Sequence, residues 1–79
     1  MPDNHKLLLA AEACRTSARQ IRTNQATGAR RYRDLKNRAA LNSAAAWLYS
    51  LAGDAENAEK MQKRVARWEV HADAQLARI

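Results

Sequence analysis

The sequence predicts a small all-α protein, either a three-helix bundle or a helical hairpin with an additional N-terminal helix, whose packing seams are rich in alanine. Only one proline and two glycines interrupt the 79 residues, so few positions break a helix. Alanine, the strongest helix former, occurs 18 times. Apolar residues also recur at three- and four-residue intervals, the period of a helix that buries one face.

The length of the chain indicates one helical domain spanning residues 1–79. Its core must be thin, because large apolar side chains are few and alanine buries little area. Small helical chains with so little core are often completed by pairing with a second copy or with a partner. We therefore expect a homodimer or a partner-bound state.

The first helix is predicted over about residues 4–25. Asp3 or Asn4 can cap its start. Leu7, Cys14 and Ile21 recur every seven residues and mark one apolar stripe. The stripe fades in the polar segment TNQATG, which indicates that the helix stops there.

The second helix is predicted over about residues 29–52, with Gly28 as the stop before it and Thr27 as its cap. The apolar phase of the first helix nevertheless continues through Gly28 to Leu35, so the first two helices could instead form one long rod. A glycine inside a helix costs about 1 kcal/mol, which packing can outweigh. From Leu41 onward the helix is apolar around most of its circumference, as expected of a central or interface helix.

The third helix is predicted over about residues 54–78. Gly53 ends the preceding helix, and Asp54 caps the next one. This helix has the clearest apolar seam of the chain. Together with its neighbours in the second helix, the seam is predicted to form the core or a dimer interface: Leu48, Tyr49, Leu51, Met61, Val65, Trp68 and Leu76.

The sequence carries no pattern typical of catalysis. The two histidines are His5 and His71, and Asp73, an acid two residues from His71, lies on a different face of the helix. There is no glycine-rich phosphate loop. The single cysteine, Cys14, and the scattered acids form no metal-ligand pattern. We expect no enzymatic activity, no cofactor, no metal and no small-molecule substrate.

Composition also indicates where the protein acts. A single cysteine excludes an internal disulfide and fits a reducing compartment. The apolar run LLLAA is too short for a signal peptide, and Glu12 follows it closely. No stretch approaches the roughly 20 apolar residues that cross a membrane. We expect a soluble, cytoplasmic protein with no membrane partner.

The segment GDAENAEKMQKRVARWE departs from the helix-turn-helix motif of DNA-binding proteins at the positions that pack the two helices. A branched apolar residue should stand six positions after the turn glycine, but Glu59 stands six residues after Gly53. Tyr49, four residues before that glycine, is too large for a site that usually holds alanine. The sequence therefore excludes a standard helix that reads base edges in DNA.

The net charge of +6 favours an acidic partner, whether a protein surface, a nucleic acid or an anionic lipid. Residues 15–38 contain seven arginines and one lysine but only one acid. Arginine suits bidentate contacts with carboxylate or phosphate. Tyr32 is the sole aromatic residue of this region, which argues against stacking of bases along a strand. The basic residues predicted to contact a partner are Arg15, Arg19, Arg22, Arg30, Arg31, Arg33, Lys36 and Arg38.

Two features refine this prediction. Arg30, Arg31 and Arg33 follow the start of the second helix, where the helix dipole disfavours cations. Trp47 falls between the two apolar stripes of the same helix, where a three-helix monomer would leave it partly exposed. Exposed aromatic residues beside arginine commonly anchor protein interfaces. Trp47 is therefore the best single candidate for a contact with another chain.

Three interpretations of the basic region stay open: a solvated helix face, a contact with an acidic protein, and a contact with nucleic-acid phosphates. We favour a non-enzymatic helical interaction protein that binds an acidic protein partner as an adaptor, regulator or inhibitor, such as a phage accessory protein that blocks a host factor. Arginines would pair with carboxylates, and Trp47 would anchor the contact. The alternative is a nucleic-acid-binding protein that uses its arginine-rich face to contact phosphates.

Overall fold

A computed structural model describes residues 4–23 and 27–79 of the chain. These residues form three helices, α1 (Asn4–Gln20), α2 (Gly28–Leu51) and α3 (Ala55–Arg78), and include no strand. The prediction of a small all-α bundle with alanine-rich seams is confirmed. Over the same residues, no helix combines the length and the hydropathy that crossing a bilayer requires.

Helix α2 lies between the other two helices and packs against both of them. The hydroxyl group of Tyr49, near the C-terminal end of α2, donates a hydrogen bond of 2.8 Å to Glu12 in the middle of α1. Arg38 precedes Tyr49 by about half the length of α2. Its side chain donates to the carbonyl oxygen of Ile21, which directly follows α1. Because later residues of α1 meet earlier residues of α2, these two helices are antiparallel.

Helix α3 returns along α2 in the opposite direction. The amide of Gln75, near its C-terminal end, donates to the carbonyl oxygen of Gly28 at the start of α2, over 3.4 Å. Lys36 and Glu69 form an ion pair of 2.7 Å further along the two helices. The chain therefore runs up, down and up, with α2 in the centre.

The core is thin, as its composition predicts. Among the residues that the structure describes, six of the nine buried hydrophobic ones are alanines, and the largest fully buried side chains are those of Tyr49, Leu35 and Met61. The accessible surface is 5436 Å², above the roughly 4800 Å² of a compact monomer of this mass. The bundle is elongated, 46 × 18 × 15 Å. Much of each helix therefore stays in contact with solvent.

The first two helices do not form one long rod. Helix α1 ends at Gln20, earlier than the predicted end near residue 25, and the chain then reverses direction. The amide of Ile21 donates to the carbonyl oxygen of Ala18 over 3.3 Å, a shortened last turn. The carbonyl oxygen of Ile21 accepts a hydrogen bond of 3.2 Å from Arg38 of α2. The side chain of another helix thus supplies the hydrogen bond that this carbonyl oxygen would have formed inside a longer α1.

Gly28 begins α2, although the sequence analysis placed it before the helix. Its φ of +60° lies in the left-handed region, which glycine adopts without strain. Thr27 is the N-cap residue, but its side chain makes no capping hydrogen bond. Arg30 and Arg31 lie in the first turn, which holds no acid. As the sequence predicts, these two cations therefore lie at the N-terminal end of α2, where the helix dipole disfavours positive charge.

The turn between α2 and α3 has the predicted residues in the predicted roles. Gly53 has a φ of +80°, and its amide donates to the carbonyl oxygen of Ser50 over 3.0 Å. The amide of Asp54 donates to the carbonyl oxygen of Tyr49 over 2.9 Å, which completes a Schellman motif. The carboxylate of Asp54 then accepts hydrogen bonds of 3.1 and 2.7 Å from the backbone and side chain of Asn57.

Candidate binding surfaces on two faces of the bundle

Side chains from all three helices surround an open groove of about 250 Å³ on one side of the bundle. We call it the arginine groove, because four of its seven lining residues are arginines. Its lining consists of Ala18 and Arg19 from α1, Arg38 and Asn42 from α2, and Arg64, Arg67 and Trp68 from α3. Two of these arginines, Arg19 and Arg38, belong to the predicted basic surface. The groove is therefore a product of antiparallel packing and not of one basic stretch.

Arg38 is held in place on two sides. The carbon at the centre of its guanidinium lies 4.1 Å from the ring centroid of Trp68, a cation–π contact. One of its terminal nitrogens, Nη1, donates to the carbonyl oxygen of Ile21. A guanidinium carries five N–H groups, so most of those on Arg38 stay available after this one bond. The side chain is therefore ordered in advance of any ligand.

The four arginines of the groove have no anionic partners within residues 4–23 and 27–79, where no ion pair includes any of them. Burial lowers the pKa of Arg64, and the positive charges of Arg15, Arg19 and Arg67 lower it further. Burial and then the charge of Arg64 lower the pKa of Arg38. Desolvation and mutual repulsion therefore make the unliganded groove electrostatically unfavourable.

Asn42 supplies a neutral polar group at the same place. It is the one buried polar side chain among the described residues, with 3% exposure, and it lines the groove. Its amide carries both donors and an acceptor. On α3, the ring of His71 lies 5.5 Å from that of Trp68, at an angle of 45°. The groove thus combines cations, an amide and an aromatic wall.

Two other residues of the predicted basic surface have partners inside the molecule. Arg15 lies 4.0 Å from Glu12, whose carboxylate also accepts the hydrogen bond from Tyr49. Lys36 pairs with Glu69, and this hydrogen bond raises the pKa of the Lys36 ammonium group. Arg15 thus pairs within α1, and Lys36 links α2 to α3. Both cations are less available to a partner than those of the groove.

A second surface lies on the outward side of α2, opposite the groove. Its residues follow three- and four-residue spacing, and we call it the α2 outer face: Arg33, Asn37, Ala40, Ala44, Trp47 and Leu51. Trp47 is 66% exposed and Leu51 is 48% exposed. Trp47 and Asn42 are five residues apart, which places them about 140° from each other around the helix. The predicted surface of arginines plus Trp47 is thus divided between two faces.

The remaining predicted residues lie elsewhere. Arg22 follows the end of α1, although the predicted range of the first helix, about residues 4–25, included it. Arg30 and Arg31 lie at the start of α2. The residues of the predicted apolar seam differ in how deeply they are buried. Tyr49 and Met61 are buried, Leu48, Val65 and Trp68 are half-buried, and Leu51 and Leu76 are exposed.

Sequence reasoning missed two residues of the groove, Arg64 and Arg67, which belong to α3 and lie outside the basic region of residues 15–38. The helical phase carries a signal for one of them. Arg64 stands four residues before Trp68, on the same side of the helix as that seam residue. Arg67 carries no such signal, since only the packing of α1 and α2 shows that the groove extends to it.

Together the fold and its surfaces define a small helical bundle with one cationic groove and one exposed apolar face. The described residues include no group of three or more histidine, cysteine, aspartate or glutamate side chains that could hold a metal ion. Comparisons with protein-family models, with curated proteins and with solved structures give no match to this chain. Its function must therefore be inferred from the geometry of its own residues.

Proposed function

We propose that this chain is a non-enzymatic interaction protein that binds an acidic protein partner through the α2 outer face. The observation that carries the proposal is the 66% exposure of Trp47 in the interior of a regular helix. A tryptophan exposed to this extent loses most of the hydrophobic stabilisation that its burial would give. Contact with a partner would recover it.

The surroundings of Trp47 suit an interface anchor. Leu51 lies one turn further along the same face and is half exposed. Ala40 and Ala44 lie on the other side of Trp47, where their small side chains keep the helix surface low. A partner could therefore approach the helix closely over three turns. Tryptophan is enriched among the residues that dominate binding energy, and truncation of such an anchor typically costs 2 kcal/mol or more.

Charge defines the kind of partner. Arg33 continues the α2 outer face about 21 Å from Trp47 along the helix axis, and none of the six residues of the face is acidic. The whole chain carries a net charge of +6. A partner that offers an apolar pocket flanked by carboxylates would complement both features, and long-range attraction would accelerate association at low salt.

Two other occupants compete for this role. A second copy of the chain could cover Trp47, as the expected homodimer would require. Nucleic acid is less well supported, because the predicted arginines are spread over several faces and two basic residues, Arg15 and Lys36, already pair with carboxylates. Action in the cytoplasm, and a role such as that of a phage accessory protein, stay predictions.

The test is affinity purification from the native host, followed by measurement of the dissociation constant with the purified partner. Trp47→Ala is compared with Val70→Ala, because Val70 is equally exposed, at 67%, but lies on α3. We expect Trp47→Ala to weaken binding at least 30-fold and Val70→Ala to change it less than 3-fold. Equal recovery and affinity for both variants would show that the α2 outer face is not the interface.

Two further measurements separate the competing occupants. Sedimentation equilibrium of the wild type and of Trp47→Ala reports self-association. A dimer that Trp47→Ala dissociates would assign the face to a second copy. Binding to generic duplex DNA at low and at physiological salt reports the nucleic-acid alternative. Affinity that falls steeply with salt and is insensitive to Trp47→Ala would favour that alternative over a protein partner.

A further inference from the structure

We infer that the arginine groove is a binding site for a single phosphate monoester group. This site is separate from the α2 outer face and does not depend on the proposed protein partner. Four arginines from three helices line one groove of about 250 Å³ together with Asn42 and Trp68: Arg19, Arg38, Arg64 and Arg67.

The number of arginines, carried on three different helices, favours phosphate over carboxylate. One guanidinium can already satisfy both oxygens of a carboxylate in a bidentate pair. Four arginines around one groove match an anion with more oxygens and more charge. A phosphate monoester carries a charge of about −1.5 to −2 at pH 7 and three strong acceptor oxygens. It can pair with two or more arginines at once.

The groove is also prepared for a ligand. Trp68 and the carbonyl oxygen of Ile21 fix Arg38, so less side-chain entropy is lost when an anion binds to it. The amide of Asn42, itself 3% exposed, adds a neutral donor at the lining. In the free protein the repulsion among the arginines has no counter-charge within the described residues, and a dianion would remove that repulsion.

Size and stacking argue for one phosphate group and against a nucleic-acid strand. The groove volume of about 250 Å³ is below the range of roughly 300–1,000 Å³ typical of pockets for drug-sized ligands. Arg38 covers a face of the Trp68 ring, so that face cannot stack on a base. A strand would require a row of cations along its path, whereas these four arginines line a single groove.

The probes are inorganic phosphate, O-phosphoserine, dimethyl phosphate and a ten-residue oligothymidylate, each titrated at constant ionic strength and followed by calorimetry. Phosphate and phosphoserine are expected to saturate one site per chain. Dimethyl phosphate, a monoanionic diester, is expected to bind at least 10-fold more weakly. Tighter binding of phosphoserine than of inorganic phosphate would indicate a phosphorylated side chain as the source, and the reverse order would indicate free phosphate or a small phosphorylated compound.

Two double variants with equal net charge test the location. Arg64→Gln with Arg67→Gln removes half of the groove's cations, whereas Arg30→Gln with Arg78→Gln removes two cations that do not line the groove. The groove variant is expected to lose at least 10-fold in phosphate affinity and most of the phosphate-induced rise in melting temperature. The control is expected to keep its affinity within 2-fold. General salting effects of phosphate are shared by both variants and cancel in the comparison.

Several results would overturn the inference. Equal losses in the two variants would show that only the overall charge attracts anions. Tighter binding of the oligonucleotide than of the monoesters would assign the arginines to a nucleic-acid backbone. If no monoester saturated a site on the chain, the groove would be a solvated cluster of arginines and not a binding site. Removal of mutually repelling cations should not unfold the protein, and circular dichroism of the groove variant checks that it keeps its helices.

Discussion

Replacement of Tyr49 by phenylalanine tests the hydrogen bond that joins α1 to the rest of the bundle. Tyr49 is 1% exposed, and its hydroxyl group donates to Glu12 over 2.8 Å. The variant keeps the ring and removes the hydroxyl group, and with it both the hydrogen bond to Glu12 and the interaction of the hydroxyl oxygen with Arg15. A bond to a charged acceptor contributes about 1.5–3 kcal/mol, and one between neutral groups about 1 kcal/mol. The Glu12 side chain is 56% exposed, so water can replace the lost donor there.

The expected cost of Tyr49→Phe is therefore near the lower figure, about 1 kcal/mol. For a domain of this size it corresponds to a fall in melting temperature of about 4–8 °C. Thermal unfolding followed by circular dichroism measures it, with Glu12→Ala and the double variant completing a cycle. If the hydrogen bond acts as described, Tyr49→Phe should have little further effect once Glu12 is removed. Independent, additive effects would refute the assignment.

The same bond predicts a pH dependence. Burial, first, and then the bond and charge of Glu12 raise the pKa of Tyr49, although Arg15 opposes them. Because the folded pKa is raised, the fold favours the neutral phenol. That contribution is complete below the unfolded pKa near 10 and is lost as the pH rises through the folded pKa. The wild type should lose stability above about pH 10, and the difference between it and Tyr49→Phe should narrow there.

Two further predictions concern helix ends. Gly53→Ala should cost about 1–2 kcal/mol in urea unfolding, because a side chain at this φ of +80° is strained even though the added carbon meets no atom within 4 Å. An unchanged midpoint would mean that the turn adopts another conformation. Arg30→Glu should stabilise by about 0.5–1 kcal/mol, because it places an anion in the first turn of α2, which lacks acids. Arg78→Glu, the same charge change in the last turn of α3, should destabilise, and equal signs for the two would exclude the dipole as the cause.

Local signals in the sequence were sufficient for most of the fold. Gly53 and Asp54 mark the turn between α2 and α3, because a left-handed glycine and an acidic cap act within a few residues. The end of α1 could not be predicted in the same way. Gln20 ends the helix where Arg38, from another helix, satisfies the carbonyl oxygen of Ile21. That contact exists only once the helices have packed.

Of the two candidate sites, one could be predicted from local sequence and the other required the tertiary structure. The exposure of Trp47 followed from helical phase alone, since the residue falls outside both apolar stripes. The groove could not be predicted from the sequence. Arg64 and Arg67 are far from Arg19 and Arg38 along the chain and line the same groove only because the helices pack antiparallel. Charge counting identified a basic chain, and tertiary structure was needed to show where the charge is concentrated.

The two tryptophans offer the most direct test of the claim that phosphate binding is confined to the arginine groove. Trp68 lines the groove, and Trp47 lies on the opposite face of α2. Their indole N–H signals can be assigned with a Trp47→Phe variant and followed by nuclear magnetic resonance during titration with inorganic phosphate at constant ionic strength. If phosphate binds only in the groove, the Trp68 signal should shift saturably and the Trp47 signal should not shift. Parallel, unsaturated shifts of both signals, or a shift of Trp47 alone, would contradict that claim.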